Sequence, residues 1–407
     1  MASIAKAKHI SKSTGIKRIR PVVSLVSILI ALILGTILMA LMGINWIDFF
    51  SMLFIGNFGS INAFGDFLGN LMWLLILGAS LMVSFRAGIF NIGSAGQFAL
   101  AGVTAFWLGG ILNAGGMGPM LIMFIAMFVG AAAAFTIGVL KTKFGIHEVV
   151  TSIMFNWIIF YSAIMIMSST GSLLEANNMN IAWLSSLFGN SIKINTSIFF
   201  VPLIIAGLWF LYRFTTFGFK QDIIGSNPSA AEAIGLNKDK ELLKTFALSG
   251  MLAGLAGAIF TLGVQDAFAG SETWVEIPGI AFNGITIALL GVNSAVGIVF
   301  SSIFVSMFET TSLITGTVTK QIPIGTLILA FSLFFVALGE VFIKYRAHED
   351  FFRWLEKEPS VSSNKNATKT SSNNVKEIAK PKTTKPKSSN SKTTTKKTKP
   401  KAKKGNK

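Results

Sequence analysis

Polar side chains that could contact a solute are concentrated in two short segments of a very apolar sequence. The first runs from Arg86 to Gln97 and combines three glycines with the amides of Asn91 and Gln97 and the hydroxyl of Ser94. Unwound backbone inside a membrane is tolerated only where it lines a cavity or is buried in protein, so we expect a break in a span here. The amides would offer donors and acceptors to a polar, uncharged solute. The alternative is close helix packing, with the amides bonded to neighbouring helices.

The second segment runs from His147 to Trp157. Its polar residues Glu148, Thr151, Ser152 and Asn156 follow one another at three- to four-residue steps, which places them on one face of a helix. That face could line a path through the membrane. The alternative is a helix start capped by Glu148, with the other polar groups buried in pairs.

Asn283 is the only strongly polar side chain of a third segment, Gly279–Gly291. A packing hydrogen bond is a better interpretation of this amide than a ligand contact, but it remains a candidate. The candidate path residues are Asn91, Ser94, Gln97, Glu148, Thr151, Asn156 and Asn283.

The sequence lacks the residue groups that covalent catalysis, metal binding or ATP hydrolysis would need. It contains no Cys and three scattered His. A Gly-Lys pair followed by Ser or Thr, which a phosphate-binding P-loop requires, does not occur. We therefore expect no catalytic residue, no metal site and no cofactor bound by this chain.

Composition predicts the elements that must position these side chains. Hydrophobic residues make up 52% and charged residues 13% of the 407 residues, with a mean hydropathy of +0.64. A soluble protein has about 25% charged residues, so we predict an all-α integral membrane protein, a polytopic bundle of about ten transmembrane helices. The predicted spans are 22–42, 68–85, 90–112, 120–140, 149–167, 198–211, 246–264, 280–290, 296–312 and 324–343.

The charge of +17 predicts orientation rather than nucleic-acid binding. Lys344 and the residues after it carry 19 of the 35 Lys and Arg but 5 of the 18 Asp and Glu, so +14 of the charge lies there. With the N-terminus inside, the inner segments hold fourteen basic residues before this tail is counted, and the outer segments hold only Lys193 and Lys320. We expect a cell-membrane protein with both termini cytoplasmic.

The predicted organisation is a basic cytoplasmic N-terminus (1–20), a transmembrane body (21–345) and a cytoplasmic tail (346–407). Within the body, 168–195 is an extracellular loop and 213–244 a cytoplasmic loop. The tail is rich in Lys and predicted to be disordered from about 361. It has no aromatic side chain from there on to stack on bases, so we expect contact with membrane lipid and no specific nucleic acid.

The cytoplasmic loop contains the pattern of a short helix. Asn227, followed by Pro and Ser, begins it, Ala230 and Ala231 continue it, and Gly235 is placed to end it. Glu232 adds a charge outside the membrane. Such a helix is a suitable contact surface for another protein.

These segments, in this order, resemble the permease subunits of bacterial ABC importers for nucleosides and simple sugars, a family that includes the ribose and branched-chain amino acid permeases. Residues 86–97 are similar to an Arg-x-Gly-x-Phe-Asn-Ile-Gly-x-x-Gly-Gln motif and 147–156 to His-Glu-Val-x-Thr-x-Ile-Met-x-Asn. Residues 227–235 resemble the coupling loop and 284–291 a Gly-Ile-x-x-Ala-Leu-Leu-Gly stretch. The resemblance covers about residues 20 to 345 and is closest to the nucleoside branch. After Gly291 the chain has Asn-Ser where relatives often place a Pro.

The resemblance implies a permease without an ATPase site of its own. Its partners would be two cytoplasmic nucleotide-binding domains, a second related permease subunit and an extracellular lipid-anchored substrate-binding protein, and the partner subunits would use the ATP. The implied ATPase coupling residues are Asn227, Ala230, Ala231, Glu232 and Gly235. The alternative is a stand-alone secondary transporter or channel, which would need carboxylates near mid-membrane such as Asp266 or Glu309.

Overall fold

The computed structural model describes residues 2–112, 118–170, 195–264, 272–319 and 324–344, and these ranges contain thirteen α-helices. In chain order the helices are α1 (Ala2–Leu41), α2 (Trp46–Phe58), α3 (Ile61–Arg86), α4 (Ser94–Leu112), α5 (Gly118–Phe144), α6 (Glu148–Thr170), α7 (Ser197–Phe214), α8 (Thr216–Ser226), α9 (Pro228–Ala233), α10 (Lys238–Ile259), α11 (Glu272–Leu290), α12 (Ala295–Thr319) and α13 (Ile324–Lys344). A π-helical turn, Phe260–Val264, extends α10.

The prediction of a polytopic helical membrane protein is confirmed. Seven described helices are long and apolar enough to cross a membrane: Arg20–Leu41, Ile61–Arg86, Gly118–Phe144, Glu148–Ile166, Ser197–Phe214, Lys238–Val264 and Ile324–Val341. The other three predicted spans overlap α4, α11 and α12, whose ends differ from the predicted ones by up to eight residues. The predicted extracellular loop lies almost entirely outside the described residues, and so do the whole C-terminal tail and Asp266.

Two helices, α3 and α10, form the centre of the bundle. In the most apolar stretch of α3, 94% of the residues are buried. In the most apolar stretch of α10 and its π-helical turn, 78% of the residues are buried. The corresponding share is between 22% and 39% for the other five spans. A helix that is apolar on all sides belongs inside a bundle, so the peripheral helices are left to face lipid or partners.

Glycines let α10 approach its neighbours at backbone distance. A methyl group on Gly254 would lie 2.6 Å from the carbonyl oxygen of Ala126 in α5. One on Gly257 would overlap the carbonyl oxygen of Phe98 in α4. Small residues bring membrane helices together because lipid provides no hydrophobic force between them. The contacts of Gly254 and Gly257 therefore fix α4 and α5 against α10.

The Asn-Ser departure from the family pattern lies in the turn between α11 and α12. Val292 and Asn293 have φ of 54° and 50°, and a proline cannot adopt such a positive φ. The Ser294 hydroxyl oxygen accepts a hydrogen bond from the Gly297 amide at 3.0 Å. Ser294 thus caps α12, and the turn is closed by a side chain instead of a proline ring.

The glycine contacts predict a difference between two helical glycines. Gly257→Ala should destabilise the protein by about 1–3 kcal/mol, because the methyl group meets backbone that cannot give way. Gly207→Ala in α7, where nothing lies within 4 Å of the new methyl, should be neutral or stabilising by up to about 1 kcal/mol. Thermal unfolding in detergent measures both. Equal melting temperatures would contradict the packing of α10 on α4.

Candidate functional site

The segment around Asn91 is unwound, but it connects two helices instead of interrupting one span as the sequence analysis expects, and residues 87–93 are called the break below. Helix α3 ends at Arg86, α4 begins at Ser94, and the intervening residues are not helical. Asn91 and Gln97 are fully buried, and Ser94 is 2% exposed. The polar side chains at the break therefore lie inside protein, whereas Gly88 and Phe90 of the break are exposed.

The two amides of this segment bond to each other. Asn91 Nδ2 donates to Gln97 Oε1 at 3.2 Å, and Gln97 Nε2 donates to Asn91 Oδ1 at 3.3 Å. Asn91 Nδ2 also donates to Ser249 Oγ of α10 at 3.0 Å, and Ser84 of α3 reaches the same oxygen at 2.8 Å. This conformation matches the packing alternative, in which amides satisfy one another. A direct contact between these amides and a solute stays a prediction.

Asn156 joins the second predicted segment to the first. Its Oδ1 accepts a hydrogen bond from the Gly96 amide at 2.9 Å, and its Nδ2 donates to the Ile92 carbonyl oxygen at 3.0 Å. A helix leaves its first amide groups without partners inside the helix, and Gly96 lies in the first turn of α4. Asn156 of α6 therefore satisfies backbone groups on both sides of the α4 start.

The other polar residues of α6 lie near its first turns. Glu148 forms an ion pair with Lys141 of α5, with 2.7 Å between Nζ and Oε1. Thr151 donates its hydroxyl to the His147 carbonyl oxygen at 3.3 Å, and the fully buried Ser152 hydroxyl has no hydrogen-bond partner. Glu148 and Thr151 thus make their contacts at the α5–α6 connection, while Asn156 reaches the break. The unpartnered Ser152 hydroxyl differs from the helix-start alternative, which expects the other polar groups to be buried in pairs.

Asn283 makes the interhelical hydrogen bond that the packing interpretation predicts. Its Nδ2 donates to Glu309 Oε2 of α12 at 3.0 Å, and its side chain is almost completely buried. Asn70 makes a similar interhelical contact that was not predicted: its Nδ2 donates to Thr310 Oγ1 at 3.2 Å, and its Oδ1 accepts from Trp73 Nε1 at 3.2 Å. A polar amide inside the apolar run 68–85 is the sequence feature that could have predicted this contact.

The predicted loop helix is present as α9. Asn227 Oδ1 accepts from the Ala230 amide at 3.1 Å, which caps the start, and Gly235 has a φ of 78° just after the end. Both boundary predictions are confirmed. Ala230, Glu232 and Gly235 are exposed, whereas Ala231 is fully buried. Ala231 therefore holds α9 against the bundle instead of presenting a surface to a partner.

Removing the Asn156 amide should destabilise the break. Asn156→Ala leaves the Gly96 amide and the Ile92 carbonyl group unpaired, at a cost of about 1–3 kcal/mol for each group that stays buried. Ser152→Ala on the same helix removes a buried hydroxyl that has no partner and should change little. Thermal unfolding in detergent compares the two variants. Similar melting temperatures would show that the Asn156 contacts do not hold the break.

Comparison with known proteins places the chain in a family. The family model described as branched-chain amino acid transport system / permease component matches residues 63–338. The chain is 32% identical to the nucleoside ABC transporter permease protein NupB of Lactococcus lactis subsp. cremoris, over 78% of this chain and 90% of that protein. It is 30% identical to the guanosine ABC transporter permease protein NupP of Bacillus subtilis, over 69% of this chain and 82% of that protein. A glucose ABC transporter permease of Haloferax volcanii is 25% identical, over 80% of this chain and 90% of that protein.

Permeases of this family are transport components that work with ATPase and substrate-binding partners, and they are not enzymes in themselves. The helical spans agree with a multi-pass membrane protein. The family model covers well over half of the chain, including the break, α6 and α9. The chain therefore belongs to the branched-chain amino acid transport system / permease component family and is the membrane permease subunit of an ABC transporter.

Proposed function

We propose that this permease forms the translocation path of an ATP-driven importer for nucleosides. The observation that carries the proposal is its similarity, at 32% and 30% identity along most of the chain, to a nucleoside permease and a guanosine permease. The similarity to a glucose permease makes simple sugars the second candidate class of solute.

The chemistry of the buried polar groups supports a neutral polar solute. The groups around the break are amides and hydroxyls, namely those of Asn91, Gln97, Asn156 and Ser249, and none of them carries a charge. A planar amide presents a donor and an acceptor side by side, the arrangement with which Asn and Gln bind an adenine edge. A nucleoside could therefore replace the Asn91–Gln97 pairing when the break opens, exchanging one set of hydrogen bonds for another.

The proposed partners are two cytoplasmic nucleotide-binding domains, a second related permease and an extracellular lipid-anchored substrate-binding protein. The exposed side of α9, with Ala230, Glu232, Gly235 and the 62% exposed Ile234, is the proposed docking surface for an ATPase subunit. An apolar side chain as exposed as Ile234, next to a charged one, fits a contact with another protein. The partner subunits would bind the ATP, and this chain would bind no cofactor.

The distribution of Lys and Arg supports the proposed orientation. The basic ends of α5 and α7, with Lys141, Lys143 and Arg213, lie on the same side in the predicted topology as α9. Both termini would then be cytoplasmic. The Lys-rich segment 346–407 would lie beside the anionic inner leaflet.

Uptake measurements decide the solute class. Cells that lack this permease should lose uptake of labelled nucleosides, and expression of the chain should restore it. Labelled ribose and glucose provide the comparison. Unchanged nucleoside uptake together with lost sugar uptake would replace nucleosides by sugars in the proposal.

Charge changes on α9 test the docking surface. Glu232→Lys and Ile234→Asp should lower ATP-dependent uptake at least about tenfold if α9 is a central part of the interface. Asp239→Lys makes the same charge change at an exposed position outside α9, and it should retain most uptake. Copurification of the ATPase subunit with each variant reports docking directly. Full uptake by both α9 variants would place the ATPase elsewhere.

A further inference from the structure

We propose that Arg86 and Asp222 form the link through which a movement of α9 reaches the break that contains Asn91. The inference rests on the proposed function, because it takes α9 as the surface on which the ATPase subunit acts. Arg86 and Asp222 are positioning residues in this account. Neither is required to touch the solute.

Arg86 and Asp222 form a two-pronged ion pair between the end of α3 and α8. Arg86 Nε donates to Asp222 Oδ1 at 2.8 Å, and Nη2 donates to Oδ2 at 2.7 Å. The guanidinium group also lies over the Tyr212 ring, 4.4 Å from its centroid. A bidentate pair fixes orientation as well as distance, and the ring holds the guanidinium from a third side. The pair can therefore transmit a rotation of α8 to the last residue of α3.

A backbone contact lies beside the ion pair. A methyl group on Gly225 would overlap the Arg86 carbonyl oxygen and lie 2.9 Å from the Gly88 nitrogen. Gly88 itself has a φ of 73°, which favours glycine. Gly225 is two residues before Asn227, the cap of α9, and Gly88 is three residues before Asn91. The end of α8 thus contacts the backbone of the break directly. This contact lies within three residues of Asn91 on one side and of Asn227 on the other.

Helix α8 also contacts α10. Thr245 Oγ1 donates to Gln221 Oε1 at 2.6 Å, and Lys220 Nζ lies 3.6 Å from Glu241 Oε1. One turn further along α10 is Ser249, the hydroxyl that accepts from Asn91. Two sets of α8 contacts therefore connect it to Asn91. One runs through the backbone of the break, and the other runs through α10 to Ser249.

The Arg86–Asp222 pair lies at the surface of the helix bundle, with side chains that are 23% and 46% exposed. Its bidentate geometry distinguishes it from an ordinary exposed ion pair, which contributes little to the free energy of unfolding. The contact is therefore rigid enough to carry a movement from α8 to α3. Arg20 and Glu340 join α1 to α13 through one contact at 3.3 Å, away from the break, and the Glu340 side chain is 39% exposed, close to the value for Asp222. They provide a matched control.

The absence of Cys from the sequence allows a direct test. Phe90 lies in the break and is 40% exposed, so Phe90→Cys introduces a single accessible thiol there. In membrane vesicles that contain the assembled importer, its labelling rate by a maleimide is measured without nucleotide and with ATP and vanadate. We expect the rate to differ between the two conditions.

The link predicts how variants change that difference. Asp222→Asn should reduce the nucleotide-dependent change in labelling roughly fivefold, the lower end of usual coupling strengths. Asp222→Glu, which keeps the carboxylate, should retain most of the change, and Glu340→Gln should retain all of it. The inference would be overturned if Asp222→Asn left the nucleotide-dependent change in labelling rate undiminished. It would also be overturned if the labelling rate of Phe90→Cys did not depend on nucleotide at all.

A second measurement requires no cysteine substitution or maleimide. In the chain without Phe90→Cys, Asp222→Asn should raise the ATP hydrolysed per solute taken up by roughly fivefold, while Glu340→Gln should not. An unchanged ratio of ATP hydrolysed to solute taken up in Asp222→Asn would overturn the link.

The two experiments also separate the inference from the proposed function. The labelling rate does not depend on the solute, so the predicted labelling together with no nucleoside transport would refute only the solute class. Loss of labelling change in Asp222→Asn but not in Ile234→Asp would refute the docking surface.

Discussion

A backbone amide or carbonyl group that is buried away from water must find a hydrogen-bond partner within the protein. Asn156 of α6 supplies such a partner to the Gly96 amide and to the Ile92 carbonyl oxygen at the break between α3 and α4. The buried side-chain amides of Asn91 and Gln97 pair with each other, and Asn91 also pairs with Ser249 of α10. The arrangement of α4, α6 and α10 around the break follows from this requirement.

The small residues of α10 serve the same requirement. The hydrogen bond from Asn91 to Ser249 forms only if α10 lies close to the break, and Gly254 and Gly257 provide that approach to α5 and α4. Larger side chains would separate the helices and leave the amides unpaired. Close helix packing and the pairing of buried polar groups therefore depend on each other. The segments 86–97 and 147–156 come together at this point, through the hydrogen bond between Gly96 and Asn156.

The packing and path interpretations of the amides are compatible in a transporter. A permease must close its path between transport steps, and amides that pair with one another in the closed state avoid the cost of unpaired polar groups. On our proposal the Asn91–Gln97 pair is such an arrangement. On our proposal the same groups become available when α8 and α9 move, since the contacts of α8 lead to the break through Arg86 and Gly225.

Local sequence determined the features that depend on neighbouring residues. The apolar runs predicted the helices, the glycines and amides of 86–97 predicted the break, and Asn227 and Gly235 predicted both ends of α9. Each of these follows from conformational preferences or polarity within a few residues of the chain. The buried position of Ala231 did not follow, because which side of a six-residue helix faces the bundle depends on the elements packed against it.

Only the tertiary structure decided which polar groups are partners. Asn156 meets Gly96 across 60 residues, and Arg86 meets Asp222 across 136. Helix periodicity shows that a side chain lies on a given face, but not which helix that face contacts. That choice depends on how the apolar helices fit together, and glycines such as Gly257 control it by allowing close backbone contact. The sequence alone thus determined the helices and their interruption, whereas the packing of distant helices decided what the interruption is bonded to.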